Sequence, residues 1–311
     1  MTFTKAKSDF LVRLAIEHDT LSITNIWREC FTNDMAYIEN FITNCLPFTK
    51  TWIAIPGNST NAVAVLSLLP SYCFSNGRKL KGGYVYGVAT LPGFRGNSLS
   101  KLLMEAAIQY CTAQNYHYMV VKPANEGLFD LYKRQSFDIL VNKSIFNVEI
   151  TPQSNIRSWN DSNNRIYTDS DFCIDELYNL RENNDNGTML LWPTEILKYA
   201  ISDIKYKGGD IHFVTDIINN RELYFIECPL EESVDTIQVV ECNAKEEREI
   251  FLITSDIKSR KSTVKNVVFE FSYDRLPSFS ALKVSSALIK IIDKTIRAEE
   301  ISKVHLSLPM E

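Results

Sequence analysis

One stretch restricts the fold more than any other. Val88-Ala89-Thr90-Leu91-Pro92-Gly93-Phe94-Arg95-Gly96-Asn97-Ser98-Leu99-Ser100 reads as the end of a strand, a tight polar loop and the first turn of a helix. The strand, residues 83–90, is rich in Tyr and Val and is stopped by Pro92 and Gly93. The helix begins near Ser98, because Leu99, Leu102, Leu103, Ala106, Ala107 and Tyr110 recur at the three-and-four spacing of one buried face. A helix that aims its N-terminus at a strand end gathers free backbone N–H groups at the positive end of its dipole, where a pyrophosphate can be held. Small side chains at Gly96, Ser98 and Ser100 let the backbone approach such a group, and Arg95 either adds charge or braces the loop.

The elements around this unit follow from the same periodicities. Ile23, Ile26, Trp27, Cys30 and Phe31 predict a helix, and Asn33 and Asp34 offer a cap for a second one carrying Met35, Ile38, Phe41, Ile42 and Cys45. Residues 51–55 and 62–69, separated by Pro56-Gly57-Asn58-Ser59, read as a hairpin, and Ser75-Asn76-Gly77 turns the chain into the next strand. Beyond the long helix come a strand at 117–122, a helix capped by Asn125 that runs to about Arg134, and strands over 137–150.

Residues 151–165 are crowded with Ser, Asn and Asp and carry no apolar period, so they are expected to connect a domain at 1–150 to a second at 166–311. The order of elements then begins again: helices at 174–181 and 194–204, a hairpin at 212–217 and 222–228, and a strand at 236–242. The second copy has no glycine loop, because its third strand runs into Asn243-Ala244-Lys245-Glu246-Glu247. Strands at 250–254 and 264–273, a helix carrying Leu282, Leu288, Ile291, Ile292 and Ile296, and a strand at 304–308 are expected to close the chain.

Composition excludes several classes. Hydrophobic residues make up 45% of the 311 positions and charged residues 23%, the balance of an ordinary globular protein. The net charge of −5 comes without a basic stripe, which argues against a nucleic-acid partner. No apolar run approaches membrane-spanning length and residues 1–10 do not resemble a secretory leader, so the expectation is a cytoplasmic protein with no membrane partner. The seven cysteines, Cys173 among them, and four histidines are widely spaced, so neither a disulfide framework nor a metal site is expected.

The loop resembles the pyrophosphate-binding motif of the GNAT superfamily of acyl-CoA N-acyltransferases: Arg or Gln, two variable residues, Gly, one variable residue, then Gly or Ala. Arg95, Ser98 and Ser100 stand at those positions, with serine in place of both glycines. A second similarity follows at Asn125, Leu128, Leu131, Tyr132, Lys133, Arg134, Gln135, Ser136 and Phe137, where Ser136 again replaces a usual glycine. The resemblance implies an α/β (α+β) GNAT fold, a mixed central sheet flanked by helices, followed by a degenerate second GNAT-like domain. It implies acetyl-CoA as acyl donor and a small-molecule or peptide amine as acceptor, joined by direct attack in a ternary complex. The cofactor would be held by Val88, Ala89, Thr90, Arg95, Gly96, Asn97, Ser98, Leu99, Ser100, Lys101 and Asn125.

Tyr132 stands where many members keep the general acid; the packing alternative sets it beside Leu128 in the helix core. A free tyrosine, with a pKa of ~10, is protonated at neutral pH and can return a proton to a departing thiolate. Where the family often has a glutamate base, this chain has Tyr86. Two-domain relatives deliver their terminal carboxylate to the active site, which makes Glu311 a candidate, set against a frayed tail. Tyr72, Phe74, Tyr84 and Tyr86, with Trp192 and Pro193, either line the acceptor cleft or pack. A non-catalytic acyl-CoA-binding sensor or interaction module is the alternative from another class. An aminoacyl-tRNA-dependent ligase would need a basic track that this chain lacks.

Overall fold

The structure, a computed structural model, describes residues 9–150, 174–184, 189–216, 218–230, 233–272, 281–302, 304 and 306. The expected connection at 151–165, Cys173 and Glu311 lie outside them.

The chain opens on β1 (Phe10–Leu14), followed by helices α1 (Thr20–Cys30) and α2 (Met35–Asn44). Asp34 caps α2, its carboxylate accepting from the amides of Ala36 and Tyr37 at 3.0 and 3.2 Å, two donors the helix itself leaves unpaired. β2 (Lys50–Pro56), β3 (Ala64–Ser75) and β4 (Arg78–Thr90) form an antiparallel meander. Helix α3 (Leu99–Ala113) crosses back to β5 (Tyr118–Val121), which lies parallel to β4. A five-residue helix, α4 (Phe129–Lys133), precedes the single long strand β6 (Ile139–Glu149).

The second half contains α5 (Ile174–Asn184), α6 (Thr194–Tyr206), β7 (Asp210–Asp216), β8 (Arg221–Leu230), β9 (Ser233–Cys242), α7 (Glu247–Arg260) and β10 (Asn266–Ser272). Strands β7, β8 and β9 are antiparallel and β10 is parallel to β9. Two helices, three antiparallel strands, a helix and a parallel strand is also the order from α1 to β5. The repeated order of elements expected from the sequence is present in space.

The closing segments depart from expectation. Residues 250–254 are helical, inside α7, where Ile250, Ile253 and Ile257 are buried at helical spacing and a Glu246–Glu249 capping box starts the helix. The segment from Leu282, expected as a helix, is β11 (Leu282–Ile291), which lies between β5 and β6 and antiparallel to both. Its Ala287, Leu288 and Ile289 are all buried, so both faces are covered and the alternation that marks a strand is absent. Of the expected last strand, Val304 and Leu306 are buried without strand pairing, and 305, 307 and 308 lie outside the described residues.

All eleven strands form one sheet in the order β1-β2-β3-β4-β5-β11-β6-β10-β9-β8-β7. One large core lies on the face covered by α1, α2, α5 and α6. A second lies under α3, with Leu99, Leu103, Met104, Ala107 and Cys111 facing Trp52, Leu66 and Val85. A third surrounds α7. Among the described residues no helix is long and apolar enough to cross a membrane.

Candidate active site

Strands β4 and β5 pair from Gly82↔Tyr118 to Val85↔Val121 and no further. Because they are parallel, the loops that follow them emerge at the same end of the sheet, where ligands of parallel strands commonly bind. A bulge marks the parting. Val65 faces Ala89 and Ser67 faces Tyr86, which leaves Leu66 opposite both Gly87 and Val88. Gly87 has a φ of +59°, and a Cβ there would meet the Trp27 ring at 2.9 Å, so both backbone and space demand glycine. Val88, Ala89 and Thr90 therefore carry one edge without strand pairing.

The loop after β4 makes a single 3-10 turn at Pro92–Phe94. Arg95 braces it, its Nε donating to the Thr90 carbonyl at 3.3 Å; the Cys30 thiol donates to the same oxygen at 3.6 Å. Asn97 Nδ2 donates to the Phe94 carbonyl at 3.0 Å. Gly96 and Ser98 have φ of +85° and +57°, and alternation of left-handed residues turns successive N–H groups toward one concavity. Among the described residues, the amides of Gly96, Asn97, Ser98, Leu99, Ser100 and Lys101 have no acceptor, and intrahelical bonding begins with Leu102 donating to Ser98. From Arg95 to Ser98 the chain is exposed. Among the described residues Lys101 pairs with Glu105, at 3.8 Å.

Asn125 follows β5 at the same end, but its side chain makes no cap; a 3-10 turn over Glu126–Leu128 comes before α4. Tyr132 on α4 is buried in the core shared with Val85, Leu99 and Val121 and sets its ring edge-on to Phe137 at 6.1 Å. The ring therefore packs, as the packing alternative had it, and the hydroxyl has no hydrogen-bond partner among the described residues. Burial pushes the Tyr132 phenol up to about 12, which keeps it protonated.

The four aromatics expected at the acceptor cleft separate. Tyr84 and Tyr86 are buried on the α1–α2 face, Tyr84 edge-on to Trp192 at 5.4 Å and Tyr86 with its hydroxyl 3.0 Å from that of Tyr199 on α6. Tyr72 and Phe74 lie at the opposite end of the β3–β4 hairpin, where the Tyr72 hydroxyl donates to Tyr178 and to Glu182. A cavity of about 430 Å³ opens there, lined by Tyr72, Lys79, Lys81, Tyr178 and Pro193, away from the loop after β4. Periodicity did not single out Tyr37 and Tyr199; the signal for Tyr199 was its place on the apolar face of α6.

The corresponding loop of the second half is closed. Glu249, on the first turn of α7, accepts from the amides of Lys245 and Glu246 and is held by Arg221 at 2.7 Å. Arg221 also donates to the Asn243 carbonyl. A carboxylate of the chain thus occupies the place where the first half leaves its amides open.

The profile of the acetyltransferase (GNAT) domain matches residues 12–139. The chain is similar over 91% of its length to a probable N-acyltransferase from Enterococcus faecalis, with 12% identity, 73% of that chain covered and a TM-score of 0.73. A GCN5-related N-acetyltransferase from Kribbella flavida matches over 91% of this chain and 71% of its own, with 15% identity and a TM-score of 0.67. A tandem GNAT protein from the clavulanic acid biosynthesis pathway matches over 91% of this chain and 99% of its own, with 8% identity and a TM-score of 0.52. No curated protein matches the chain.

Proposed function

From the premise that the chain carries a GNAT acetyltransferase domain in residues 12–139, we propose that it moves the acetyl group of acetyl-CoA to a primary amine by direct attack in a ternary complex. One observation carries this reading: six consecutive backbone amides, Gly96 to Lys101, stand open at the exposed N-terminus of α3. That is a cradle for a diphosphate. The pantetheine arm then adds to the free edge of Val88, Ala89 and Thr90 by main-chain hydrogen bonds. Asn125 borders the arm from the loop after β5.

In the reaction the amine nitrogen bonds to the thioester carbon and gives up a proton, the carbon–sulfur bond breaks, and Tyr132 gives its proton to the departing sulfur. The phenol is suited to this because burial keeps it protonated. In this reading only the first half holds a cofactor, because Glu249 already takes the amides of Lys245 and Glu246 in the second.

A second reading, a non-catalytic acyl-CoA sensor, is favoured by the packing of Tyr84 against Trp192 and of Tyr86 against Tyr199, which narrows the face opposite α3. Calorimetry with coenzyme A and transfer from radiolabelled acetyl-CoA to a panel of amines separate the two. Transfer supports the enzyme, binding without transfer supports the sensor, and absence of both removes the cradle.

A further inference from the structure

An amine that is protonated at neutral pH must lose a proton before it attacks, and β4 has Tyr86 where a carboxylate would serve. Tyr86 immediately precedes Gly87, at the parting of β4 from β5, and points away from α3 into the core under α1, α2 and α6. In the transfer reading the thioester of a donor bound at the α3 loop lies at that parting, beside Tyr86, which is 6% exposed, so the amine proton enters a largely buried cluster of hydroxyls. The Tyr86 hydroxyl lies 3.0 Å from Tyr199 Oη and 3.5 Å from Tyr37 Oη. Tyr37 in turn faces Asp203 on α6, a carboxylate only 1% exposed whose Oδ2 accepts from Lys207 at 3.0 Å.

We infer that the second half supplies the base of the reaction: the proton of the attacking amine passes by way of Tyr86 and Tyr37 to the carboxylate of Asp203. This rests on the transfer reading proposed above. Tyr86 takes the amine proton as it hands its own to Tyr37, and Tyr37 hands its own to Asp203, so both phenols end neutral. The electron pair of the carbon–sulfur bond leaves with sulfur, which takes its proton from Tyr132, and the second proton, shed by the nitrogen as the amide forms, restores Tyr132 by way of solvent. Asp203 releases its proton beside Lys207, whose side chain is 37% exposed.

The surroundings suit a relay of neutral hydroxyls. Burial, then Tyr199 and Tyr37, push the Tyr86 phenol well above its ordinary value, so it passes protons on without becoming a phenolate. Burial and the Asp203 charge raise Tyr37 as well. Ionisable groups around Asp203 also include Tyr199 on α6, Cys45 at the end of α2, Lys207 just past α6 and Cys228 on β8; Tyr206, bonded to Asp34, covers Tyr37. The 3.5 Å step between Tyr37 and Tyr86 is long for a hydroxyl pair, as relay contacts commonly are before substrate binds.

The test compares propylamine and spermidine, both protonated at neutral pH, with hydroxylamine, which is neutral there and needs no base. Asp203→Asn and Tyr37→Phe are expected to lower kcat for the two protonated amines by about 100-fold. The loss for hydroxylamine should be at least tenfold smaller, with coenzyme A affinity by calorimetry unchanged. Equal losses for all three acceptors, or no loss for any, overturn the relay while the transfer reading stands. If the wild-type chain acetylates none of the three, the relay falls together with that reading. Tyr37→Phe keeps the ring, so a folding failure of Asp203→Asn does not decide the outcome.

Discussion

Glu249 on α7 accepts from Arg221 Nη1 through both carboxylate oxygens, at 2.7 and 2.9 Å, and with one of them caps the amides of Lys245 and Glu246. The carboxylate is 1% exposed. Its removal takes the carboxylate away from a partly buried guanidinium and the shared acceptor away from two amides. Glu249→Ala is expected to destabilise the chain by about 3 kcal/mol, read from urea unfolding. Coenzyme A should bind the unmodified chain at a stoichiometry of one; a value of two would contradict the closed second loop.

Ser98 and Ser136 both have left-handed backbones, with φ of +57° and +63°. These are positions where the similar motifs carry glycine, and a side chain there costs about 1 kcal/mol. Ser98→Gly and Ser136→Gly should each stabilise the fold by roughly that amount, raising the midpoint of thermal unfolding. Ser98→Gly should at the same time preserve coenzyme A binding, since the amides that face the ligand are unchanged.

Tyr132→Phe removes a hydroxyl that has no partner among the described residues, so the change in stability should stay below about 1 kcal/mol. Acetyl transfer should fall by about 100-fold or more, with coenzyme A affinity retained. The pH dependence has a definite sign. Folded Tyr132 holds its proton up to about 12, whereas the unfolded residue loses it near ~10. Its contribution to stability is therefore complete below about pH 10 and lost as pH rises toward 12, a decline that Tyr132→Phe should lessen in alkaline denaturation.

Glu227 on β8 is 1% exposed, with Lys261 at 2.8 Å, Arg260 at 3.2 Å and His212 at 3.3 Å. Burial alone would raise its carboxyl; the nearby His212 ring with the Arg260 and Lys261 cations reverses this and holds it well below the usual range. Such a group stabilises the fold above its unfolded value and loses that contribution as pH falls through the folded one. Unfolding free energy should decline as pH drops below about 4.5, and Glu227→Gln should flatten that slope while lowering stability at pH 7.

The parts of the fold visible in the sequence are those with one covered face. α1, α2, α3 and α6 each carry an apolar stripe, and the β2–β3 hairpin alternates about a polar turn. β11 was hidden because both of its faces are covered. α7 was hidden because residues 250–254 are apolar enough to pass for a strand unless the Glu246–Glu249 box is weighed. At the site, the loop from Arg95 to Lys101 was legible because its chemistry is local, a strand end followed at once by a helix start. The hydroxyl cluster of Tyr37, Tyr86 and Tyr199 was not, because it joins residues more than 100 positions apart, and separation of that kind leaves no periodic trace.

β11 lies between β5 and β6, so the sheet that presents the α3 loop is completed only by residues 282–291. A ribosome must reach residue 291 before the early strands can close, and the nascent chain meanwhile has two unsatisfied edges in its middle. A fragment ending at residue 150 should accordingly be insoluble or loosely folded, and adding the missing strand as a separate peptide should restore order to it. The two halves are thus sewn together rather than strung in series.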